Sequence, residues 1–378
     1  MATKEDEIKT VKETVLPPVQ GIFEAMEMNG HEQVVFNYDK ATGLKTIIAI
    51  HDTTLGPALG GCRMWNYGSE QEAVQDVLRL SRGMTYKCAV SGEGFGGGKA
   101  VIWGDPHQDK SDELFQAFGT FVETLKGRFY TGTDVGTVGT DFVSARKQTE
   151  YLVGLPEEYG GSGNSAIITA YGVLRGMKAT AKEAFGSENL TGKTVAIQGL
   201  GKVGKLLVSY LLEDGAKVIG TDIYQENVEI VKANFPSVEI VAPEKIYGVQ
   251  CDIFSPNALG AVLNDETIPQ LTCRVICGAA NNVLAQPRHG QVLHDRNILY
   301  APDYVVNAGG LIEVAEELHG FNKDRAFQKA DQIYDILLQI YRISKLENIP
   351  TSDAADRLVE RKLETIQRIQ NKYLGKKR

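Results

Sequence analysis

Cysteine is scarce in this chain: five in 378 residues, an odd number, at Cys62, Cys88, Cys251, Cys273 and Cys277. That usage excludes a disulfide framework, and the absence of zinc-type spacing excludes a metal centre. Cys273 and Cys277 are the closest two, four apart in an apolar run that predicts a buried strand with both on one face. The six histidines show no ligand spacing, and Cys88 has no histidine near it in sequence to make it a nucleophile. No apolar run approaches the roughly 18 residues that a membrane helix needs, so no membrane partner is expected. Positive charge is in deficit, 40 Lys and Arg against 48 Asp and Glu for a net −8, which argues against general affinity for nucleic acid. The N-terminal Met-Ala-Thr-Lys-Glu-Asp-Glu lacks the apolar stretch of a secretory leader, so the cytoplasm is the expected location.

What is present is a globular balance, 43% hydrophobic and 23% charged, at a length that favours two domains. Lys87 closes Gly83-Met84-Thr85-Tyr86-Lys87, Lys99 closes Gly96-Gly97-Gly98-Lys99, and Asp134 closes Gly132-Thr133-Asp134. A lysine behind three glycines sits on backbone with no side chains to shield it, so a small anionic ligand can approach both the ammonium and the neighbouring N–H groups. Two ammoniums near each other repel, which makes the less well paired one available as a base, and an adjacent aspartate could carry protons.

Residues 1 to about 30 read as a polar lead and an amphipathic helix. Val34–Tyr38 and Lys45–Ile50 flank a turn and predict a strand pair. Ser69 and Glu72 form a capping box ahead of a helix that leads to Lys87. Val101–Trp103 predicts a strand, Ser111–Leu125 a helix, and Arg128–Thr131 a strand running into Asp134. The glycine-rich stretch 156–164 suits a hinge. Beyond it, a helix Ala166–Phe185 precedes the apolar strand Thr194–Gln198, and alternating elements continue to about residue 310. Two charged helical patterns from Asp324 to Tyr373 are expected to fold back on the first domain. The division expected is 1–153 with about 325–378 in one domain, and 154–324 in the other.

Directly after the strand Thr194–Gln198 comes Gly199-Leu200-Gly201-Lys202-Val203-Gly204, which opens a helix. The first glycine permits the tight turn, the second lets a pyrophosphate reach the backbone, and the third lets helix and strand pack closely. Asp222, with Ile223 after it, ends the next strand, where a carboxylate accepts from ribose hydroxyls and repels a 2′-phosphate. NAD is therefore the expected cofactor.

Taken together, Leu59-Gly60-Gly61-Cys62-Arg63-Met64, Gly83–Lys87, Phe95–Lys99, Thr131–Asp134 and Tyr300–Gly310 resemble the glutamate, leucine, phenylalanine and valine dehydrogenases over about residues 30–360. The resemblance implies an α/β fold of two domains separated by a cleft, an N-terminal substrate and oligomerisation domain and a doubly wound Rossmann domain. It implies oxidative deamination of an L-amino acid to a 2-oxo acid and ammonia, in a homo-oligomer, commonly an octamer. By motif, Lys87 would bind the substrate carboxylate, Lys99 would activate water as general base and Asp134 would relay protons. Asn307 would bond the amino acid end, and Gly60, Gly61, Met84, Gly132 and Leu311 would line the substrate site. Thr169 and Asn282, with Ala279, Ala280 and Asn281, would hold the nicotinamide side of the cofactor.

Within that family, Leu59 stands where glutamate enzymes carry a lysine, so an acidic substrate side chain would be buried without a partner. Gly132 and Leu311 follow the phenylalanine-type wording where leucine enzymes have alanine and valine, and loss of the alanine methyl is expected to make room for a ring. L-Phenylalanine is the expected substrate, with leucine, another branched-chain amino acid or tryptophan as the alternative and a non-catalytic NAD-binding protein behind both. Three residues depart from the family pattern: Glu93, Asn257 where a cysteine is common, and Glu313 in place of an amide. Glu313 is expected to bind a polar group or to be solvated.

Overall fold

The computed structural model describes residues 21–368, so the polar lead expected before them and the last residues of the C-terminal pattern lie outside the described ones. Two compact units emerge. The first is made of 21–164, 311–323 and 359–368, and the second of 165–310 and 324–358.

The first unit is built on a mixed sheet of order β1-β2-β5-β3-β6, with β4 also paired to β5. Its strands are β1 (Gln33–Tyr38), β2 (Lys45–Asp52), β3 (Ala58–Leu59), β4 (Cys62–Trp65), β5 (Gly96–Trp103) and β6 (Phe129–Tyr130). β1 and β2 form the expected hairpin, in a register that sets Val34 opposite Ala49. Alternation is weak along β2 and β5 because both are buried on two sides, as central strands covered by helices must be. The helix Glu70–Ser91 starts where the capping box places it: Ser69 Oγ accepts from the Glu72 N–H at 3.2 Å, and Gly92 ends it in the left-handed region at φ 74°. Ala73, Val74, Val77 and Leu78 of that helix pack on Ile47, Ala49 and Val101 of the sheet. On the opposite face, the helix Asp112–Thr124 contributes Phe115 and Phe118 to a core with Ile48, Ile102, Phe129 and Phe142.

The second unit carries a six-stranded sheet of order β12-β11-β10-β7-β8-β9 in which every pair is parallel. The strands are β7 (Thr194–Gln198), β8 (Lys217–Thr221), β9 (Glu239–Ile240), β10 (Ile253–Pro256), β11 (Val275–Ile276) and β12 (Leu299–Tyr300). Numbered from β7, this is the 3-2-1-4-5-6 order of a doubly wound dinucleotide fold, whose strand order reverses between β7 and β10. Cys273 and Cys277 flank the short strand β11, both buried.

The sequence-based boundaries need correction. The helix Lys323–Glu347 was expected to fold back on the first domain, yet residues 324–358 belong with the second unit. Gly172 and Gly176 explain this, since a methyl on either would meet Ile333 at 2.8 Å or Leu337 at 3.3 Å. Those glycines let the helices Ala166–Phe185 and Lys323–Glu347 approach closely, and Tyr341 completes the contact through a 2.7 Å hydrogen bond with Thr180. Conversely, residues 311–323 belong with the first unit.

Candidate active site

In the first unit the glycines bring three strand ends together. The Gly60-Gly61 link between β3 and β4 runs between β5 on one side and residues 130–134 on the other: Gly60 N–H donates to Tyr130 O at 3.1 Å, and Ala100 N–H donates to Gly61 O at 3.2 Å. A methyl at Gly60 would lie 1.8 Å from Gly98 O, and one at Gly61 would lie 2.5 Å from Thr133 O and 3.0 Å from Asp134 Cβ. Only bare backbone allows that approach. Its result is a contact between Lys99 of β5 and Asp134, at 2.9 Å from Nζ to Oδ2. Lys99 is 6% exposed. Lys87 is the charge expected beside Lys99, but the charge that Lys99 meets at hydrogen-bond distance is Asp134.

Arg63, to which the sequence alone assigns no role, joins the same carboxylate: its Nε lies 3.3 Å from Asp134 Oδ2 and its Nη1 lies 2.9 Å from Asp76 Oδ2. Tyr67 OH donates to Asp76 at 2.8 Å, which anchors the far end of the network. The available signal was the place of Arg63 on β4, beside Val101 of β5 and two residues from Lys99. Burial opposes the charge on Asp134, but the ammonium of Lys99 and the guanidinium of Arg63 outweigh it and hold the carboxyl below its usual range. A carboxylate fixed as an anion beside a lysine suits proton transfer at one defined place.

Lys87 and Met84 lie half-buried in the last two turns of the helix Glu70–Ser91. Met84 packs against Gly60, where a Cβ would stand 3.1 Å from its Cγ. Beside them is an apolar cluster of Leu59, Cys88, Phe95, Tyr130, Val153, Leu311 and Ala315, with Met84 on its margin. Burial pushes the Cys88 thiol up to about 12, which fits packing and not nucleophilic attack. At Gly132 the geometry corrects the expected cause. A Cβ there would meet the Val153 carbonyl at 2.5 Å and Val153 Cγ2 at 3.1 Å, so a methyl would strike backbone instead of filling pocket space.

Glu313 is neither solvated nor part of the apolar cluster. It is 2% exposed, on the helix Gly309–Glu317, and one of its oxygens has no hydrogen-bond partner. Burial pushes its carboxyl up to about 7 against the hydrogen bond from Ser162, and the nearby Glu317 carboxylate adds to the rise. Glu317 accepts from Gly154 N–H at 2.7 Å and from both the N–H and the hydroxyl of Ser162, at 2.7 and 2.6 Å. The glycine-rich stretch is thus tied to this helix. Glu93 is buried.

In the second unit each glycine of the 199–204 turn has a distinct reason. Gly199 has φ 99° and sits against Ala258, 2.9 Å from its nitrogen to a would-be Cβ; a Cβ on Gly204 would meet Gly199 O at 2.0 Å; one on Gly201 would meet nothing within 4 Å. That open space faces the start of the helix Lys202–Glu213, Val203 included, whose N-cap Gly201 offers no side-chain cap. Its first N–H groups are therefore available to an anion. Asp222 Oδ2 accepts from Leu200 N–H at 2.7 Å and Oδ1 from Tyr224 N–H at 2.8 Å, so the acid also braces the glycine turn, while Ile223 beside it is exposed.

At the far end of the same sheet edge, Asn307 Nδ2 donates to Ala279 O at 3.1 Å and to Asn281 Oδ1 at 2.6 Å. Its Oδ1 is buried without a partner. Asn282 takes a left-handed φ of 51°, next to buried Ala280. Thr169 lies below: a Cβ on Gly310 would be 3.1 Å from its Oγ1. The uncapped helix start and the open space at Gly201 fit the pyrophosphate of a dinucleotide, and the orphaned Asn307 oxygen fits an N–H donor, a carboxamide or an amine. Among the described residues no group of His, Cys, Asp or Glu could hold a metal, and no helix is long and apolar enough to cross a membrane.

Residues 31–154 match the family described as Glu/Leu/Phe/Val dehydrogenase, dimerisation domain, and residues 160–223 and 221–342 match Glutamate/Leucine/Phenylalanine/Valine dehydrogenase. The chain is 54% identical over 353 residues to the leucine dehydrogenase of Geobacillus stearothermophilus, covering 93% of this chain and 96% of that one. It is also 54% identical over 353 residues to the phenylalanine dehydrogenase of Bacillus thermotolerans, covering 92% of each. Among solved structures, the L-tryptophan dehydrogenase of Nostoc punctiforme superposes with a TM-score of 0.83 at 44% identity, covering 92% of this chain and all of that one. The chain belongs to the glutamate/leucine/phenylalanine/valine dehydrogenase family, NAD(H)-dependent oxidoreductases that act on amino acids.

Proposed function

We propose that this amino acid dehydrogenase oxidatively deaminates L-phenylalanine to phenylpyruvate and ammonia, with NAD preferred over NADP. The supporting observation is that the two positions carrying phenylalanine-type residues lie at one apolar cluster: Val153, which borders Gly132, and Leu311 both belong to it. Leu59 in that cluster offers no charge to a glutamate side chain, whose burial there would cost several kcal/mol.

In this reading Lys87 holds the substrate carboxylate and Lys99 takes the proton of the attacking water. Asp134, kept ionised by Lys99 and Arg63, accepts and returns protons to Lys99 across the 2.9 Å contact. NAD, when bound, accepts the hydride from the α carbon; the Gly199–Gly204 turn and the helix start at Lys202 would hold its pyrophosphate, and Asp222 its ribose. Thr169, Ala279–Asn282 and Asn307 would hold the nicotinamide end. Assembly as an octamer rests on the resemblance alone.

A second reading, leucine or another hydrophobic amino acid such as tryptophan as preferred substrate, is favoured by the equal identity to a leucine dehydrogenase and by the tryptophan dehydrogenase structure. Steady-state NADH formation from phenylalanine, leucine, valine and tryptophan separates the two. The proposal expects the largest kcat/KM for phenylalanine, and a larger value for leucine, valine or tryptophan would replace it.

A further inference from the structure

Asn257 follows β10 at the strand-order reversal, where the family pattern expects cysteine, and its amide is fixed on both sides. Nδ2 donates to Ser255 O and to Ser255 Oγ, each at 2.9 Å, and Oδ1 accepts from Ala279 N–H at 2.9 Å. The orientation is forced, because a carbonyl can only accept and a backbone N–H can only donate. The same residue passes the constraint on through its other main-chain group: Ala279 O accepts from Asn307 Nδ2 at 3.1 Å. Both protons of the Asn307 amide are thereby committed, to Ala279 O and Asn281 Oδ1, and Oδ1 is left as a buried acceptor on a residue 4% exposed. A buried acceptor without a donor is costly unless a ligand supplies one.

We infer that Asn257 is a positioning residue that, through the main chain of Ala279, aims Asn307 Oδ1 at an N–H donor of a bound ligand. The inference rests on the proposed function for the nature of that ligand. Two N–H donors share the required chemistry, the amine of the amino acid and the carboxamide of the nicotinamide. A cysteine at 257 would offer a weaker acceptor on a shorter side chain, so the amide is a stronger version of the contact in this chain.

The test is a double-mutant cycle on the full-length enzyme with Asn257→Ala, Asn307→Ala and the pair, reading kcat and KM, NADH affinity by fluorescence, and the thermal midpoint. Asn257→Ala is expected to lower kcat/KM for the amino acid roughly ten-fold while the midpoint moves by only a few degrees. The double variant should be no worse than Asn307→Ala alone, since Asn257 acts through Asn307. Weakened NADH binding by a similar factor assigns the donor to the carboxamide; a raised amino acid KM with unchanged NADH binding assigns it to the amine. Asn257→Cys keeps the test readable if the alanine variant does not fold, with a smaller loss of the same kind expected. Activity of Asn257→Ala within two-fold of the parent, or losses that multiply in the double variant, would overturn the inference. A parent that turns over no L-amino acid would instead remove the function on which it rests.

Discussion

In the proposed function Lys99, in contact with Asp134 at 2.9 Å, and Lys87 divide the work. Lys99→Ala is expected to depress kcat by roughly 10² to 10⁴, the contribution of a positioned general base, with NADH affinity nearly intact. Lys87→Ala should instead raise the amino acid KM strongly, and stopped-flow binding with steady-state rates distinguishes the two. If Lys99→Ala kept near-parental kcat and an unchanged pH profile, Asp134 would become the candidate base. Glu313 gives a prediction in stability. Its folded carboxyl, at about 7, lies above the ordinary 4.5, so its contribution to stability is fully present below 4.5 and is lost as pH rises through 7. Glu313→Gln should therefore melt higher than the parent above pH 7, with the advantage shrinking toward pH 4.5. A constant difference across that range would mean that Glu313 does not titrate as its burial implies. Asp134 runs the other way: its folded carboxyl lies below the ordinary 3.8, so its contribution is present above that value and fades as pH falls.

Among elements, the glycine turns make the sharpest claims. Gly132→Ala sets a methyl 2.5 Å from the Val153 carbonyl, so it should cost about 1–3 kcal/mol through overpacking and disturb substrate preference by moving Val153. Calorimetry beside the substrate screen checks both; a shift toward leucine with no loss of stability would restore the simpler crowding explanation. Asp222 also braces the glycine turn through Leu200 N–H, so Asp222→Ala should narrow the gap between NAD and NADP and also raise KM for NAD by loosening that turn. Equal kcat/KM for the two cofactors in the parent would remove its discriminating role. These elements were largely readable beforehand because their signals are local: the Ser69 cap, the 194–198 strand and the glycine spacing state their own geometry. Arg63, Asn257 and Glu313 were not, because their meaning lies in partners many residues away. Nor does the charged pattern of 323–347 reveal that Gly172 and Gly176 leave room for it on the second unit.

At the scale of the whole molecule, the family follows from matches that cover nearly all of the chain, whereas the proposed substrate preference rests on Gly132, Leu311 and the side chains beside them. Leucine and phenylalanine dehydrogenases are equally similar to this chain at 54%, so overall identity cannot rank the substrates and pocket chemistry must. The central claim is tested most directly by the initial rate of NADH formation from NAD with each of the twenty L-amino acids in turn. The account predicts turnover confined to hydrophobic substrates, highest kcat/KM with phenylalanine, and negligible rate with glutamate. Glutamate as the best substrate, or no NADH from any amino acid, would contradict it.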